Sequence, residues 1–407
     1  MSAPNVLIFG GLDTCSRALA GLLVPLDGEP LVAHVRVVDK FSVEPPTTYI
    51  GAEFPQLLKK PELEYRQANL TVPATIASMF DPPEGQSPYD YVFDCTGEIQ
   101  ADRTEMIQID RTCQVARMIG LEAAKRKVKS YVRLQHPFYE TSSKGAHDEK
   151  EDVKPDGVAG IWWHETLRML AAIEDLNLVI LRIGFVYGPY TNWGSSTFSV
   201  FPPPPTGVDG LGAVASAITV ASVYGHMKKP MKSMWSPGKN PTNTVHTHDV
   251  AGGLWACAQW MALLGRKEAD SLAGEIILFH NEKTKQANTL LSVGQTVTSF
   301  FGTTFEFFNI LENTVLKLKS DAVEEINEHH VGGWTEMIQT SNPPIPNTPL
   351  SAYMDKYALE KHVVAFSNTK LLEVTGYKLK RPQLNHDTVK EVVDKWKKEG
   401  SWPILDA

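Results

Sequence analysis

The chain has little cysteine: Cys15, Cys95, Cys113 and Cys257 are the four in 407 residues. No two of them form a Cys-x-x-Cys pair or a metal-ligand spacing, so neither a disulfide scaffold nor a zinc module is expected. The thiols read as reduced and buried. Positive charge is not in surplus either. With 39 Lys+Arg against 47 Asp+Glu the formal charge is −8, which argues against nucleic acid or an anionic membrane as a partner. The longest basic concentration, Lys125-Arg126-Lys127 with Lys129, reads as the solvated end of a helix. No run of about 18 uninterrupted apolar residues occurs, so no membrane span is expected. Met1-Ser2-Ala3-Pro4-Asn5 carries no basic residue and runs straight into Val6-Leu7-Ile8-Phe9, which reads as a strand and not as a secretion signal. The expected compartment is the cytoplasm. Neither a Gly-x-Ser-x-Gly elbow nor a P-loop is present. No metal site is expected: His246 and His248 can share a strand face while Asp249 points away, and His329-His330 lies in polar surroundings.

What the chain does have is globular composition, 43% apolar and 21% charged residues. At about 150 residues per domain its length allows two domains. Strand and helix patterns alternate through the first 190 residues or so. Val6–Phe9, Ala33–Val38, Tyr91–Phe93, Ser130–Leu134 and Val179–Ile183 read as buried strands. Ser16–Leu23, Met106–Lys125 and Gly160–Leu176 read as helices, with Ile109, Cys113, Ala116 and Gly120 on one face of the second. Continuous apolar strands between helices imply a parallel sheet covered on both faces. The fold class is therefore α/β, a Rossmann-like doubly wound sheet over residues 1–188. A smaller mixed region, 189–407, covers the substrate and also lends strands and helices to the first. In that region Val214–Met227, Val250–Leu264, Thr289–Phe301 and Thr388–Glu399 read as helices and Glu275–Phe279 as a strand. Thr191–Gly212, with Pro202-Pro203-Pro204-Pro205, and Gly332–Leu350 read as loops. Ligands of such sheets bind outside the carboxyl ends of the strands, so the strand ends are the place to look for function.

Seven strand-end segments, in order, resemble the extended short-chain dehydrogenase/reductase family, the group of nucleotide-sugar epimerases and dehydratases. Val6-Leu7-Ile8-Phe9-Gly10-Gly11 looks like its first strand and turn, and Asp39 sits where its ribose-binding acid stands. Asn69-Leu70 resembles the pair flanking the adenine, and Thr96-Gly97 the turn under the cofactor. Arg182-Ile183-Gly184-Phe185-Val186-Tyr187-Gly188-Pro189, Val245-His246-Thr247-His248-Asp249-Val250-Ala251 and Phe366-Ser367-Asn368-Thr369-Lys370 with Thr375-Gly376-Tyr377 are similar to three later family elements. The resemblance implies a dinucleotide held by Gly10, Gly11, Asp13, Thr14, Cys15, Asp39, Lys40, Asn69, Leu70, Thr96 and Gly97. Asp39 favours NAD, because its carboxylate accepts bonds from ribose hydroxyls, while Lys40 offers a 2′-phosphate contact that would suit NADP. Family members are often dimers, and a homodimer here would use Met106–Lys125.

The chemistry-bearing positions depart from the family pattern. The turn reads Gly10-Gly11-Leu12-Asp13-Thr14-Cys15-Ser16, with Asp13 and Ser16 at the second and third glycine positions. A carboxylate beside a pyrophosphate repels it by about 1 kcal/mol or more, yet an Asp there also caps the helix with or without a ligand. No Tyr-x-x-x-Lys pair stands in the helix that should carry it, which reads Gly160-Ile161-Trp162-Trp163-His164-Glu165-Thr166-Leu167-Arg168, and Gln135 falls at the Ser/Thr position. Ile161-Trp162-Trp163-His164 matches in place the Phe-Tyr-Tyr-Asp run of the atypical progesterone 5β-reductase and iridoid synthase group. Tryptophan N–H donates a hydrogen bond but is no proton acid near neutral pH. His136, Tyr139, His164 and Gln135 are the candidates for acid–base work. Trp162, Trp163, Tyr187, Asn192, Trp193, Phe198 and Trp235 are the candidates for a substrate pocket that is aromatic and poor in cations. Two classes of function remain open. One is an NAD(P)-dependent oxidoreductase or epimerase acting on a small, apolar metabolite. The other comprises a cofactor-free isomerase, cyclase or lyase on the same scaffold, and a non-catalytic sensor.

Overall fold

The computed structural model describes residues 3–101, 103–143, 146–149, 151, 153–189, 191, 213–233, 238–265, 276–279, 288–318, 322–354 and 363–405. Seven parallel strands form its main sheet: β1 Asn5–Phe9, β2 His34–Asp39, β3 Leu63–Gln67, β4 Tyr91–Asp94, β5 Ser130–Gln135, β6 Leu178–Ile183 and β7 Ile276–Phe279. Their order is β7-β6-β5-β4-β1-β2-β3. Every residue of β1, β2, β5 and β6 is buried, as a parallel sheet covered on both faces requires. One face carries a core of Val6, Ile8, Val37 and Phe93 against the helices α1 Thr14–Leu23 and α4 Thr247–Leu264. The other packs Leu7, Phe9, Val92 and Tyr131 against α2 Val115–Lys125 and α3 Gly157–Ala171. Two elements from beyond residue 188, α4 and β7, thus complete the sheet.

The order in which strands are added reverses between β1 and β4, from β1-β2-β3 on one side to β4-β5-β6 on the other, and this leaves a crevice at the carboxyl ends. The C-terminal region has its own core, in which Trp396 and Trp402 stack with centroids 5.4 Å apart. Trp396 Nε1–H donates to Thr191 O at 3.3 Å, tying this core to the rim of the crevice.

Several elements differ from the sequence reading. The expected single helix Met106–Lys125 is a short α-turn Glu105–Gln108, a π-helix Ile109–Gln114 and then α2. Residues 332–339, expected as loop, belong to a helix, Ala322–Gln339. Its Gly333 is a packing residue, since a Cβ there would meet Val223 Cγ1 at 2.5 Å. Strand β3 went unread because only Leu63 of Leu-Glu-Tyr-Arg-Gln is buried, as befits an edge strand.

Candidate functional site

A cavity of about 390 Å³ opens at the switch point. Gly10, Leu12, Asp13 and Thr14 after β1, Asp39, Lys40 and Phe41 after β2, Asn69 and Leu70 after β3, and Cys95 to Ile99 after β4 line it. Nine of the eleven expected cofactor residues are there. The exceptions, Gly11 and Cys15, lie behind the wall. Gly11 packs on β2, where a Cβ would meet Val37 at 2.2 Å, and the buried Cys15 thiol belongs to the core, which pushes its pKa up.

The first turn folds tightly for identifiable reasons. Gly10 has φ +70°, and a Cβ there would lie 2.7 Å from Cys95 O, so the turn rests directly on β4. Ser16 fits the third glycine position because it is small and its Oγ donates to Gly10 O at 2.6 Å. Asp13 is the N-cap of α1, its Oδ2 accepting from Cys15 N–H at 3.3 Å. A carboxylate therefore sits on the helix N-terminus that such folds offer to a pyrophosphate. Burial raises its pKa, outweighing the Thr14 and Cys15 N–H groups and Arg17, which lower it. Asp39 is similarly raised by burial, and its carboxylate accepts from the N–H groups of Leu12 at 3.0 Å, Lys40 at 2.6 Å and Phe41 at 3.4 Å. These bonds fix it at the end of β2 facing the crevice.

The floor under Thr96-Gly97 is a buried polar network. Asp94 and Arg133, both fully buried, pair at 2.8 Å. Asp94 Oδ1 also accepts from Thr96 N–H and Oγ1–H, and Oδ2 from the Tyr131 hydroxyl at 2.5 Å. The Arg133 guanidinium lies 4.8 Å from the Trp163 ring, a cation–π contact. Trp163 in turn abuts Gly97, where a Cβ would come within 2.4 Å of the indole, and Gly97 has φ +138°. Trp163 Nε1–H donates to Glu98 O at 3.0 Å. Trp163 is thus a buried prop of the cofactor turn and not a wall of an open substrate pocket.

The four acid–base candidates do not converge on one point. His136 lines the cavity, its ring 4.9 Å from Trp163. Burial, then Arg133, lowers its pKa from 6.5 to about 3, so at neutral pH it is an uncharged imidazole and a weak base. Gln135, Tyr139 and His164 form a second group. Gln135 Nε2–H donates to the Tyr139 hydroxyl at 3.2 Å, and the His164 ring stands edge-on to Tyr139 at 6.0 Å. The Arg182 guanidinium lies 5.0 Å from the Tyr139 ring and lowers its pKa, but burial is the larger effect and the phenol is raised.

Of the substrate candidates, Trp162 donates Nε1–H to Glu105 at 3.1 Å near the surface. Tyr187 is fully buried against His246 at 5.1 Å. Asn192, Trp193, Phe198 and Trp235 lie outside the described residues.

Sequence reasoning passed over Glu98 and Arg111, which line the cavity and pair at 2.7 Å. Their only signal was charge placed just past a Thr-Gly turn and inside an otherwise apolar-periodic helix. It also passed over Glu391, which joins His246 and His248 with ligand atoms within 4.8 Å of one another. Those donors are already committed. Glu391 accepts two N–H groups of Arg381, at 3.0 and 3.1 Å, and His246 Nδ1 caps α4 by accepting from His248 N–H. A ring whose Nδ1 accepts carries its proton on Nε2 when neutral, the wrong tautomer for a ligand at that atom. Asp249 points away, accepting from the Tyr377 hydroxyl and from Lys380 and Arg381 N–H.

No known family model matches the chain, and no curated protein matches it by sequence. Solved structures do match. The UDP-glucose 4-epimerase of Thermotoga maritima with UDP-glucose is 14% identical at a TM-score of 0.59, covering 97% of this chain and 99% of that one. WbmG of Bordetella bronchiseptica in complex with NAD and UDP is 14% identical at 0.61, covering 98% and 97%. A variant UDP-glucuronic acid 4-epimerase of Bacillus cereus, with a fluorinated UDP-glucuronic acid and NAD, is 13% identical at 0.61, covering 97% and 99%. With its seven-stranded parallel sheet and a crevice at the β1/β4 switch point, the chain has the Rossmann-like fold of these structures.

Proposed function

We propose that the chain is an NAD-binding enzyme of the extended short-chain dehydrogenase/reductase type, an oxidoreductase or epimerase with atypical acid–base groups. The observation that carries this reading is the convergence of Gly10, Asp13, Thr14, Asp39, Lys40, Asn69, Leu70, Thr96 and Gly97 on one cavity at the switch point. The residues fit a dinucleotide. Glycine at 10 and serine at 16 let the turn lie flat on β4, and Asp39 faces the crevice as a ribose acceptor. NAD is favoured over NADP because a 2′-phosphate would meet the fixed Asp39 carboxylate. When bound, the cofactor supplies hydride exchange. The chain's own groups hold the adenosine half, and the uncharged His136 imidazole lines the cavity with Trp163 packed behind it.

The substrate is a small molecule. The matched structures hold UDP or UDP-sugars, whose diphosphate calls for cations. Here Lys232, one of the lysines near the expected site, is already paired with Glu312 at 3.4 Å and stacked on Phe308. That favours a less charged, more apolar metabolite. Exposed Met106, Leu121 and Ile161 on the helices flanking β4 and β5 are where a homodimer would form.

One observation favours a second reading. Gln135, Tyr139 and His164 are not among the described residues that line the cavity, and His136 stays neutral. A cofactor-free isomerase or a sensor would need no proton relay beside the nicotinamide. Deuterium transfer decides between the two. Protein incubated with deuterated NADH and a panel of apolar ketones, enones and UDP-4-keto-sugars is expected to place deuterium at a former carbonyl or alkene carbon. Cofactor that binds and returns its label untouched from every substrate supports the sensor.

A further inference from the structure

We infer that Arg111 is the cation that receives the ligand's diphosphate in this cavity, brought there by the π-helical turn and held by Glu98. The inference rests on the dinucleotide reading above and specifies the part of it that the first turn leaves unexplained.

Among the described residues the cavity is lined by three carboxylates, Asp13, Asp39 and Glu98, and by two permanent cations, Lys40 and Arg111. His136 adds no charge at neutral pH. Asp13 occupies the helix N-terminus where the fold would seat a diphosphate, so the backbone dipole there is already spent on a carboxylate. Compensation has to come from a side chain. Lys40 follows Asp39 at the ribose end, and its Nζ lies 5.0 Å from the Phe41 ring. Arg111 comes from the opposite wall, beside Glu98 and Val115.

Its position is built rather than incidental. Arg111 lies within the π-helix Ile109–Gln114, and such turns concentrate where a helix must re-aim a side chain. Glu98 is anchored on every side. Its N–H donates to Thr112 Oγ1 at 2.9 Å, its carbonyl accepts from Trp163, and its Oε1 accepts from Gln100 N–H at 3.3 Å. Its Oε2 accepts from Arg111 Nη1–H at 2.7 Å. The Glu98 side chain is 10% exposed, while that of Arg111 is 47% exposed. Among the described residues the Arg111 side chain bonds Glu98 alone, through one of its five N–H groups. A planar guanidinium held by one edge keeps its other donors for an anion, in the fork geometry that suits phosphate.

The test compares ADP-ribose, which carries the diphosphate without the nicotinamide, with adenosine, which carries neither. Both are read by displacement of NADH fluorescence from the full chain, and adenosine also by calorimetry. Arg111→Gln is expected to raise the dissociation constants of ADP-ribose and NADH at least tenfold and to leave adenosine unchanged. Arg111→Lys should recover part of the loss. Glu98→Gln, which keeps an oxygen for Gln100 but removes the competing charge, should bind ADP-ribose as tightly as wild type or several-fold tighter. Melting temperatures of all variants monitor the fold. Arg111→Gln that weakens adenosine as much as ADP-ribose, or neither, overturns the inference while wild-type NADH binding stands. So does a loss in Glu98→Gln equal to that in Arg111→Gln, since the pair would then be a scaffold. Wild-type protein that binds none of the three ligands overturns the dinucleotide reading itself.

Discussion

Asp13 shows how one side chain serves two ends. As an N-cap it stabilises α1 by about 1 kcal/mol over alanine, while as a charge it opposes a diphosphate. Asparagine keeps the cap and drops the charge. Asp13→Asn is therefore expected to tighten NADH binding about fivefold, corresponding to roughly 1 kcal/mol of relieved repulsion. A fluorescence titration showing equal or weaker binding would contradict the assignment. His136 makes a different prediction. Its folded pKa, about 3, lies below the ordinary 6.5. Between those values the unfolded chain takes up a proton that the buried ring refuses, so stability is full above pH 6.5 and is lost as the pH falls. The slope is about 1.4 kcal/mol per pH unit for one such ring. His136→Phe should flatten the acid limb of urea stability between pH 6.5 and 5 by that share, and a parallel limb would refute it. At this scale the strand-end residues were legible because their place depends only on where a strand stops. Whether His136 or Tyr139 faces the cavity was not, because it depends on how the chain turns after β5.

The elements around the β4 turn act as one unit. Gly97 needs both a positive φ and empty space, and Trp163 fills that space. Gly97→Ala is expected to lower stability by several kcal/mol and to abolish NADH binding together, whereas Trp163→Ala costs about 3–5 kcal/mol as a cavity. The buried pair below sets a sharper test. Arg133→Met leaves Asp94 charged and unpaired, at a cost of about 3–5 kcal/mol, while the double variant with Asp94→Leu recovers much of it. Additive losses in chemical denaturation would show that the two do not interact. Helix identity was legible here from apolar spacing. The π-turn at Ile109–Gln114 was not, since one residue more per turn leaves no mark in composition, and that is why Arg111 escaped notice. Gly332-Gly333 misled in the opposite direction, reading as loop where Gly333 permits close helix packing.

Across the whole molecule, fold and chemistry separate. Buried strands alternating with helices specify a doubly wound sheet almost regardless of side-chain detail, so the sheet was readable apart from its edge strand β3. The acid–base groups were not, because the helix Gly157–Ala171 carries no Tyr-x-x-x-Lys pair and the replacement of that pair depends on contacts between segments far apart in the chain. The central claim is that the cavity at the β1/β4 switch point takes a nicotinamide dinucleotide. Titration of the purified chain with NADH and NADPH, followed by nicotinamide fluorescence and thermal shift, tests it most directly. The account predicts NADH binding at micromolar concentration with a raised melting temperature, and weaker binding of NADPH because of Asp39. Absence of binding by either, in reduced or oxidised form, would contradict it.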